Sequence, residues 1–483
     1  SDRADAGAYD GKYQSKNMAQ NGGINLKNNE IPPMQKTGIF ITLIISTFVT
    51  AMSTTVTANM IPNFTEYFDV SANLAQWLTS GATLISGIII PVTAFLLKKV
   101  PNRIYFFVTM LAYTLGSLST FLAQAFPILL VSRLIQAVGC GMMIPFGQIM
   151  LLHLYPTEKH GRVMAAFSMA SMVSTVVGPT YAGLMLEAAG WRGVFASLFV
   201  FGLVIIVVGS IFMKNIIPKA EAELNVGYVL LSALGFASLL IGVSNMSSGS
   251  VLKLTSGGLI VIGILFLGVF SRLQLTSKKP MLNLRVFKEP SFLIAVVISI
   301  CLYLISMGTG MILPLFTKSI CGFSDSAYGY ATLVGSILAV FTTLYAGRVY
   351  DKMGIKPMFF AGIVLFAVYS IMGICFSANT GIVYIAATFA LQTVAMSMLN
   401  SPATTMALSK LSGNIRIDGS AVFNTIRQIS SSLASTLSVL IYTLAGSDIH
   451  AVHVVYVYYG IVTIAIVISV FLYLKATPQM ASL

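Results

Sequence analysis

Apolar residues run along this chain in blocks of membrane length, separated by short polar turns. A helix needs about 20 apolar residues to cross a hydrocarbon core of roughly 30 Å. Blocks of that size lie near 39–62, 77–97, 104–124, 127–152, 162–187, 193–213 and 226–245. They continue near 256–274, 291–317, 327–350, 357–377, 380–408, 419–444 and 453–474. The pattern predicts an all-α polytopic membrane protein with 14 transmembrane helices. Because the turns are short, consecutive helices are antiparallel neighbours.

Two longer polar stretches, 214–225 and 275–290, bracket the seventh and eighth blocks. They divide the chain into a polar tail (1–38), a six-helix bundle (39–213), a linker carrying two extra helices (214–290), a second six-helix bundle (291–475) and a short tail (476–483). Basic turns follow the second span of each bundle, at 97–103 and 347–356. Such repeats are common in transporters that hold substrate near the midplane between halves.

Charge fixes the expected orientation. With the first residue in the cytoplasm, 23 of the 28 Lys and Arg fall in cytoplasmic tails and loops. Arg192, Lys253 and Lys318 fall outside, and Arg133 and Arg427 fall within spans. This is the positive-inside distribution, and it predicts a multi-pass plasma-membrane protein with both termini cytoplasmic. The net charge of +13 is thereby a loop excess suited to anionic lipid headgroups, and it gives no reason to expect nucleic acid.

Composition agrees: 56% of the 483 residues are hydrophobic and 9% are charged, where a soluble domain carries about 25% charged residues. Cys140, Cys301, Cys321 and Cys375 have no disulfide or metal-ligand spacing. The tail at 1–38 is polar and contains no cleavable signal peptide, so it reads as flexible. No HExxH, Walker loop or nucleophile elbow is present, so neither an enzyme nor direct ATP drive is expected, and no cofactor is implied.

Several stretches carry a family resemblance. Gly347-Arg-Val-Tyr-Asp351-Lys-Met-Gly354 resembles the loop signature of the major facilitator superfamily in its second-half copy. Arg133-Leu-Ile-Gln136-Ala-Val-Gly139 resembles the fourth-helix motif of that superfamily's drug:proton antiporters. Ser174-Thr-Val-Val-Gly178-Pro179-Thr-Tyr-Ala-Gly183 resembles their fifth-helix motif. Gly419-Ser-Ala-Val-Phe-Asn424-Thr-Ile-Arg427-Gln428 and Pro280-Met-Leu-Asn-Leu-Arg-Val-Phe287 are similar to stretches of the fourteen-span branch. The resemblance implies two six-helix bundles working by alternating access. It also implies that Arg133 helps the proton and substrate steps communicate.

The residues themselves suggest a pathway. A charge buried in a span costs about 2.5–3.5 kcal/mol on insertion scales, so Arg133 is expected to face the protein interior, with Gln136 beside it; the other option is snorkelling to the interface. Arg427, flanked by Asn424, is a second candidate, or a structural arginine on backbone carbonyls. Asn59, Gln392 and Asn400 are further polar groups in apolar spans, with packing as the alternative role. Gly178, Pro179 and Gly183 predict a bend and a tight seam with a gating role. Gly347, Asp351 and Gly354 predict a gate latch, with Gly354 in a tight turn and Asp351 on a helix N-terminus.

Coupling is harder to place. None of the 15 acidic residues falls deep in a span; Glu66 and Glu187 stand at the outer rim, and Glu187 is a candidate partner for Arg133. Ser53 stands where the resembling family commonly has an acid, and Leu97 and Pro101 replace the expected Asp and Gly of the first-half loop. Arginines without deep acids predict a positive cavity, favouring an anionic, zwitterionic or neutral amphiphile over a bare cation. Abundant Phe, Tyr and Met are available to line an adaptable pocket or to face lipid. The expected function is a secondary exporter of hydrophobic or amphiphilic compounds, acting as a monomer among membrane lipids, with protons as the coupling ion. The alternative is a lipid or anionic-amphiphile translocator of the same fold without conventional proton coupling.

Overall fold

The structure, a computed structural model, describes residues 31–75, 77–219, 226–247, 254–277, 280, 282–323, 325–411, 413–446 and 448–476. Among these residues there is helix and no strand. In chain order the helices are α1 (Pro33–Asn59), α2 (Ile61–Phe68), α3 (Ala72–Ala75), α4 (Trp77–Lys99), α5 (Asn102–Leu122), α6 (Phe126–Leu154), α7 (His160–Phe212) and α8 (Val226–Ser247). Then come α9 (Leu254–Thr276), α10 (Pro290–Leu315), α11 (Asp325–Met353), α12 (Lys356–Ile374), α13 (Ile382–Ser409), α14 (Gly413–Leu444) and α15 (Ile449–Ala476).

Local chemistry explains the boundaries. Pro33, Pro127, Pro290 and Pro357 stand in the first two positions of α1, α6, α10 and α12. A missing amide is harmless there, because first-turn N–H groups have no intrahelical acceptor. Hydroxyls inside the spans bond to their own helix. Thr42, Ser46 and Thr50 each donate to the carbonyl four residues back. That satisfies a polar group where no water is available.

The fifth and sixth predicted spans form one assigned helix, α7, broken at Gly190 with φ 65° and ψ −179°. Only glycine adopts that backbone readily. The chain reverses there. Gly161 at the start of α7 and Asn215 just after its end both lie by the basic loops, bonding Asp351 and Arg103. Trp191 sits at the opposite end, against Phe64 and Tyr67.

Eleven helices among the described residues are long and apolar enough to cross a membrane. The sequence pattern predicts 14. Two predicted spans run on as α7 across the Gly190 break, α8 is among the shorter apolar helices (Gly227–Gly242), and α14 carries a polar face. Side chains such as Val261, Ile264, Leu265, Phe341, Phe360 and Ile461 are exposed. Bands of exposed apolar side chains on long apolar helices are surfaces for lipid.

Two sets of helices pack among themselves. α1 and α4–α7 form one set, and α10–α15 form the other. The sets meet along α7–α11, α7–α13, α4–α14 and α6–α14. The pair α8–α9 packs together, and α8 lies against both α4 and α14. Stacked and tilted aromatic rings fill each set, Tyr105 on Phe146 in the first and Tyr369 beside Tyr456 and Tyr459 in the second.

Candidate functional site

The first set supplies a buried polar core on α6. Arg133 is 3% exposed, so it faces inward and does not snorkel. Its guanidinium donates to Ser53 Oγ on α1 at 3.3 Å and to Gln136 Oε1 one turn along α6. Gln136 Nε2 donates onward to Ser117 Oγ on α5 at 2.7 Å. The ring of Phe195 lies 5.6 Å from the Arg133 guanidinium carbon, a cation–π distance. Arg133 Nε has no hydrogen-bond partner. Gly139 lets this core form, because a Cβ there would stand 2.6 Å from the Thr109 carbonyl of α5.

Arg133, Gln136 and Cys140 line a cavity of about 140 Å³ between α1, α4, α6 and α14. Gln428 of the second set closes its far side. A second cavity, of about 420 Å³, shares Thr83 with the first and lies toward the end opposite the basic loops. Trp77, Thr79 and Thr83 of α4 form one wall and Ser431, Ser432 and Ser435 of α14 another. Met307 and Met311 of α10 and Leu240 and Ile241 of α8 complete it.

At the basic end the two sets are bonded together. Lys98 Nζ at the end of α4 meets Asp418 near the start of α14 at 2.5 and 2.7 Å, with 4% and 1% of each residue exposed. One turn further in, Gln148 Oε1 on α6 accepts from Asn424 Nδ2 at 2.7 Å and Ser420 Oγ at 2.9 Å. Arg416 donates to the Leu152 carbonyl at 3.2 Å. Across the α7–α11 seam, Asp351 accepts from the backbone N–H of Gly161 at 2.8 Å and of Arg162 at 3.0 Å. A carboxylate at a helix N-terminus meets free amides and the positive end of the helix dipole. Gly161 and Gly347 allow the approach: a Cβ on Gly347 would stand 2.3 Å from Ala165 Cβ.

His160, the first residue of α7, supports this end. Its Nε2 lies 3.0 Å from the Tyr155 carbonyl and 3.2 Å from that of Leu152, so it is the protonated nitrogen. Nδ1 is buried without a partner. Burial, and then the charge of Arg416, hold its pKa below the usual histidine value, against the hydrogen bonds to the two carbonyls.

The profile of the Major Facilitator Superfamily matches residues 43–297 and 295–482, nearly the whole chain. The chain belongs to the Major Facilitator Superfamily. The "Uncharacterized MFS-type transporter YcnB" of Bacillus subtilis is 30% identical over 422 residues, covering 87% of this chain and 89% of that protein. The "Lincomycin resistance protein LmrB" of Bacillus subtilis is 29% identical over 420 residues, 85% of this chain and 86% of its own. The structure of the proton:xylose symporter XylE, at 15% identity, overlays with a TM-score of 0.63 over 92% of this chain and 96% of that one, and shows the shared fold. The resemblance to the superfamily's drug:proton antiporter branch is borne out, and this facilitator is a secondary membrane transporter. The family and fold are those of transporters rather than enzymes.

Within this facilitator the other candidate residues separate. Asn424 joins the seam, as described. Arg427 leaves the cavity: its guanidinium donates to the Tyr303 hydroxyl at 3.0 Å through Nε and packs over the Tyr303 and Phe423 rings. Glu187 is exposed and makes no ion pair with Arg133, whereas Lys98–Asp418 and Arg162–Asp351 are ion-paired. Glu66 is exposed on α2. Gln392 is buried on α13 with its Nε2 unpartnered, and Asn400 is half-buried on the same helix. Asn59 ends α1 and Pro179 lies within α7, and their side chains fall outside the described set.

The gating glycines also divide. Gly178 is a tight seam, since a Cβ there would stand 2.1 Å from Thr55 Oγ1 on α1. Gly183 faces open space. Gly354 has φ +73°, the left-handed turn expected before α12. The pattern of apolar spans leaves four partners unmarked: Lys98, Gln148, Arg416 and Asp418. Asp418 corrects the view that acidic residues stay at rims and in loops, because its carboxylate is buried between the sets.

Proposed function

We propose that this protein is a proton-coupled exporter of hydrophobic or amphiphilic compounds working by alternating access. The carrying observation is an asymmetry: the two cavities between the sets lie away from the basic end, and the hydrogen bonds joining the sets gather at it. A transporter closed on one face and hollow toward the other is in one of its two access states. In this reading the chain crosses the plasma membrane 14 times, with six-helix bundles at 39–213 and 291–475 and an inserted pair in 214–290. The basic end is cytoplasmic and so are both termini, which makes the state outward-facing. One chain encloses the cavity, which supports a monomer as the working unit. Residues at the seam, Gly161, Gly347 and Asp351 with Gly354 in its turn, form the cytoplasmic gate. Arg133 and Gln136 transmit between cavity and gate, and Gly178 with Pro179 shapes the moving α7.

The relative named for lincomycin resistance supports export of a drug-like compound. The test uses cells expressing the protein and purified protein in liposomes. Cells should accumulate less lincomycin or ethidium than cells carrying Arg133→Ala at equal expression. Addition of the exported compound to liposomes with an imposed pH gradient should dissipate that gradient. Equal accumulation in both cell lines would reject export. Flux indifferent to the gradient would reject proton coupling.

A further inference from the structure

We propose that the cavity of about 420 Å³ is a specificity subsite for neutral, hydroxyl-rich amphiphiles such as glycosides, and that the inserted helix α8 supplies one of its walls. The inference rests on the export reading and names the substrate class for it.

No charged residue lines this cavity. Arg133 belongs to the smaller chamber beside it, and Arg427 is turned to Tyr303. The polar lining consists of hydroxyls. Those of α14 fall at 431, 432, 435 and 436, a spacing that sets them on one helical face. Thr79, Ser80 and Thr83 of α4 contribute the others.

The direction of their hydrogen bonds decides the ligand chemistry. Thr83 Oγ1 donates to the Thr79 carbonyl at 3.0 Å. Ser435 Oγ donates to the Ser432 carbonyl at 3.0 Å, and Thr436 Oγ1 to the same carbonyl at 3.3 Å. A hydroxyl has one proton and two lone pairs. With the proton committed to backbone, the Thr83 and Ser435 oxygens have acceptor capacity left for the cavity. A ligand that brings O–H donors is therefore matched. Facing Thr83 and Ser435, a sulfate or carboxylate brings acceptors to acceptors, and no cation lines the cavity to offset its charge. A quaternary ammonium brings no donor, and its charge finds no carboxylate to offset desolvation.

The apolar lining sits beside this face. Trp77, Met307 and Met311 offer an aromatic plane and two adaptable thioethers. A saturated ring with C–H faces and hydroxyl edges fits both surfaces at once. Leu240 and Ile241 of α8 close the remaining side. The helix is seated on α4 there, since Leu240 Cδ1 lies 3.4 Å from the position a Cβ on Gly87 would take. Of the inserted pair, α8 is thus part of the cavity wall.

The chain has two tryptophans, which makes the test direct. In a Trp191→Phe background held in lipid nanodiscs, Trp77 fluorescence reports this cavity. Four nitroaryl quenchers differ only in their head group: 4-nitrophenyl β-glucoside, 4-nitrophenyl sulfate, 4-nitrobenzyl-trimethylammonium and 4-nitrotoluene. The expected result is saturable quenching by the glucoside with a Kd at least tenfold below the other three. Ser431→Ala/Ser432→Ala/Ser435→Ala should raise that Kd at least tenfold and leave nitrotoluene quenching unchanged, which shows the cavity still folded. Leu240→Phe, which fills the α8 wall, should weaken glucoside binding to a similar degree. Sulfate or ammonium binding as tightly as the glucoside would overturn the proposal, as would a triple variant that binds the glucoside like its parent. Lincomycin export without glucoside preference at Trp77 would overturn this inference alone. Glucoside binding without export would overturn the export reading alone.

Discussion

Lys98 and Asp418 are 320 residues apart in the chain and meet at 2.5 Å, buried between the two sets of helices. Removing one partner of a buried pair costs about 3–5 kcal/mol, because a lone charge stays behind. The cost falls on the state in which the pair is formed. Asp418→Asn and Lys98→Gln should each open the basic end and lower export at least tenfold. The exchanged variant Lys98→Asp/Asp418→Lys should recover part of the loss. Export by cells, together with thiol labelling of a cysteine introduced at Leu97, checks both parts.

Arg133 is held by Ser53 and Gln136 and lines the smaller cavity. Arg133→Ala should abolish export without preventing membrane insertion. Ser53→Ala removes one 3.3 Å bond and is expected to cost about 1 kcal/mol, a several-fold effect at most. Comparing efflux rates at matched surface expression separates the two.

Gly161 and Gly347 cross where α7 meets α11. A Cβ on Gly161 would stand 2.4 Å from Asp351 Oδ1. Gly161→Ala should force the seam apart, lowering both export and the thermal midpoint of the purified protein. Gly183→Ala, which meets nothing within 4 Å, should change neither.

His160 predicts a pH dependence. Its pKa is held below the ordinary value, so the folded state binds fewer protons than the unfolded chain as the pH falls. Stability is then lost below the unfolded histidine pKa of about 6.5 and is insensitive to this group above it. The thermal midpoint should drop between pH 7.5 and 5.5, and His160→Gln should flatten that drop by removing the titration.

Periodicity and charge placement made the helices legible, because lipid forces both length and polarity on each span. Gly354 and Asp351 were legible for a similar reason: a turn with positive φ and a helix N-terminus are local demands. The buried orientation of Arg133 followed from the cost of a charge in hydrocarbon. Partners distant in sequence were not legible. Arg427 satisfies its span position by reaching Tyr303, 124 residues away, which no local pattern announces. Asp418 has the sequence surroundings of a loop, yet the crossing of α4 and α14 buries it. The count of spans suffers at α14 for the same reason: its polar residues serve the seam and the cavity, and they dilute its apolar signal.

The amides that hold Asp351 belong to the main chain of α7. No codon change except one to proline deletes a peptide N–H. Drift along that stretch of the gene, short of a side chain at Gly161, leaves the receptor standing, and the grip there depends on a single acidic side chain. Lys98 and Asp418 have no such insurance, since a change at either position orphans the other. Descendants of this transporter are expected to shed the second fastening before the first.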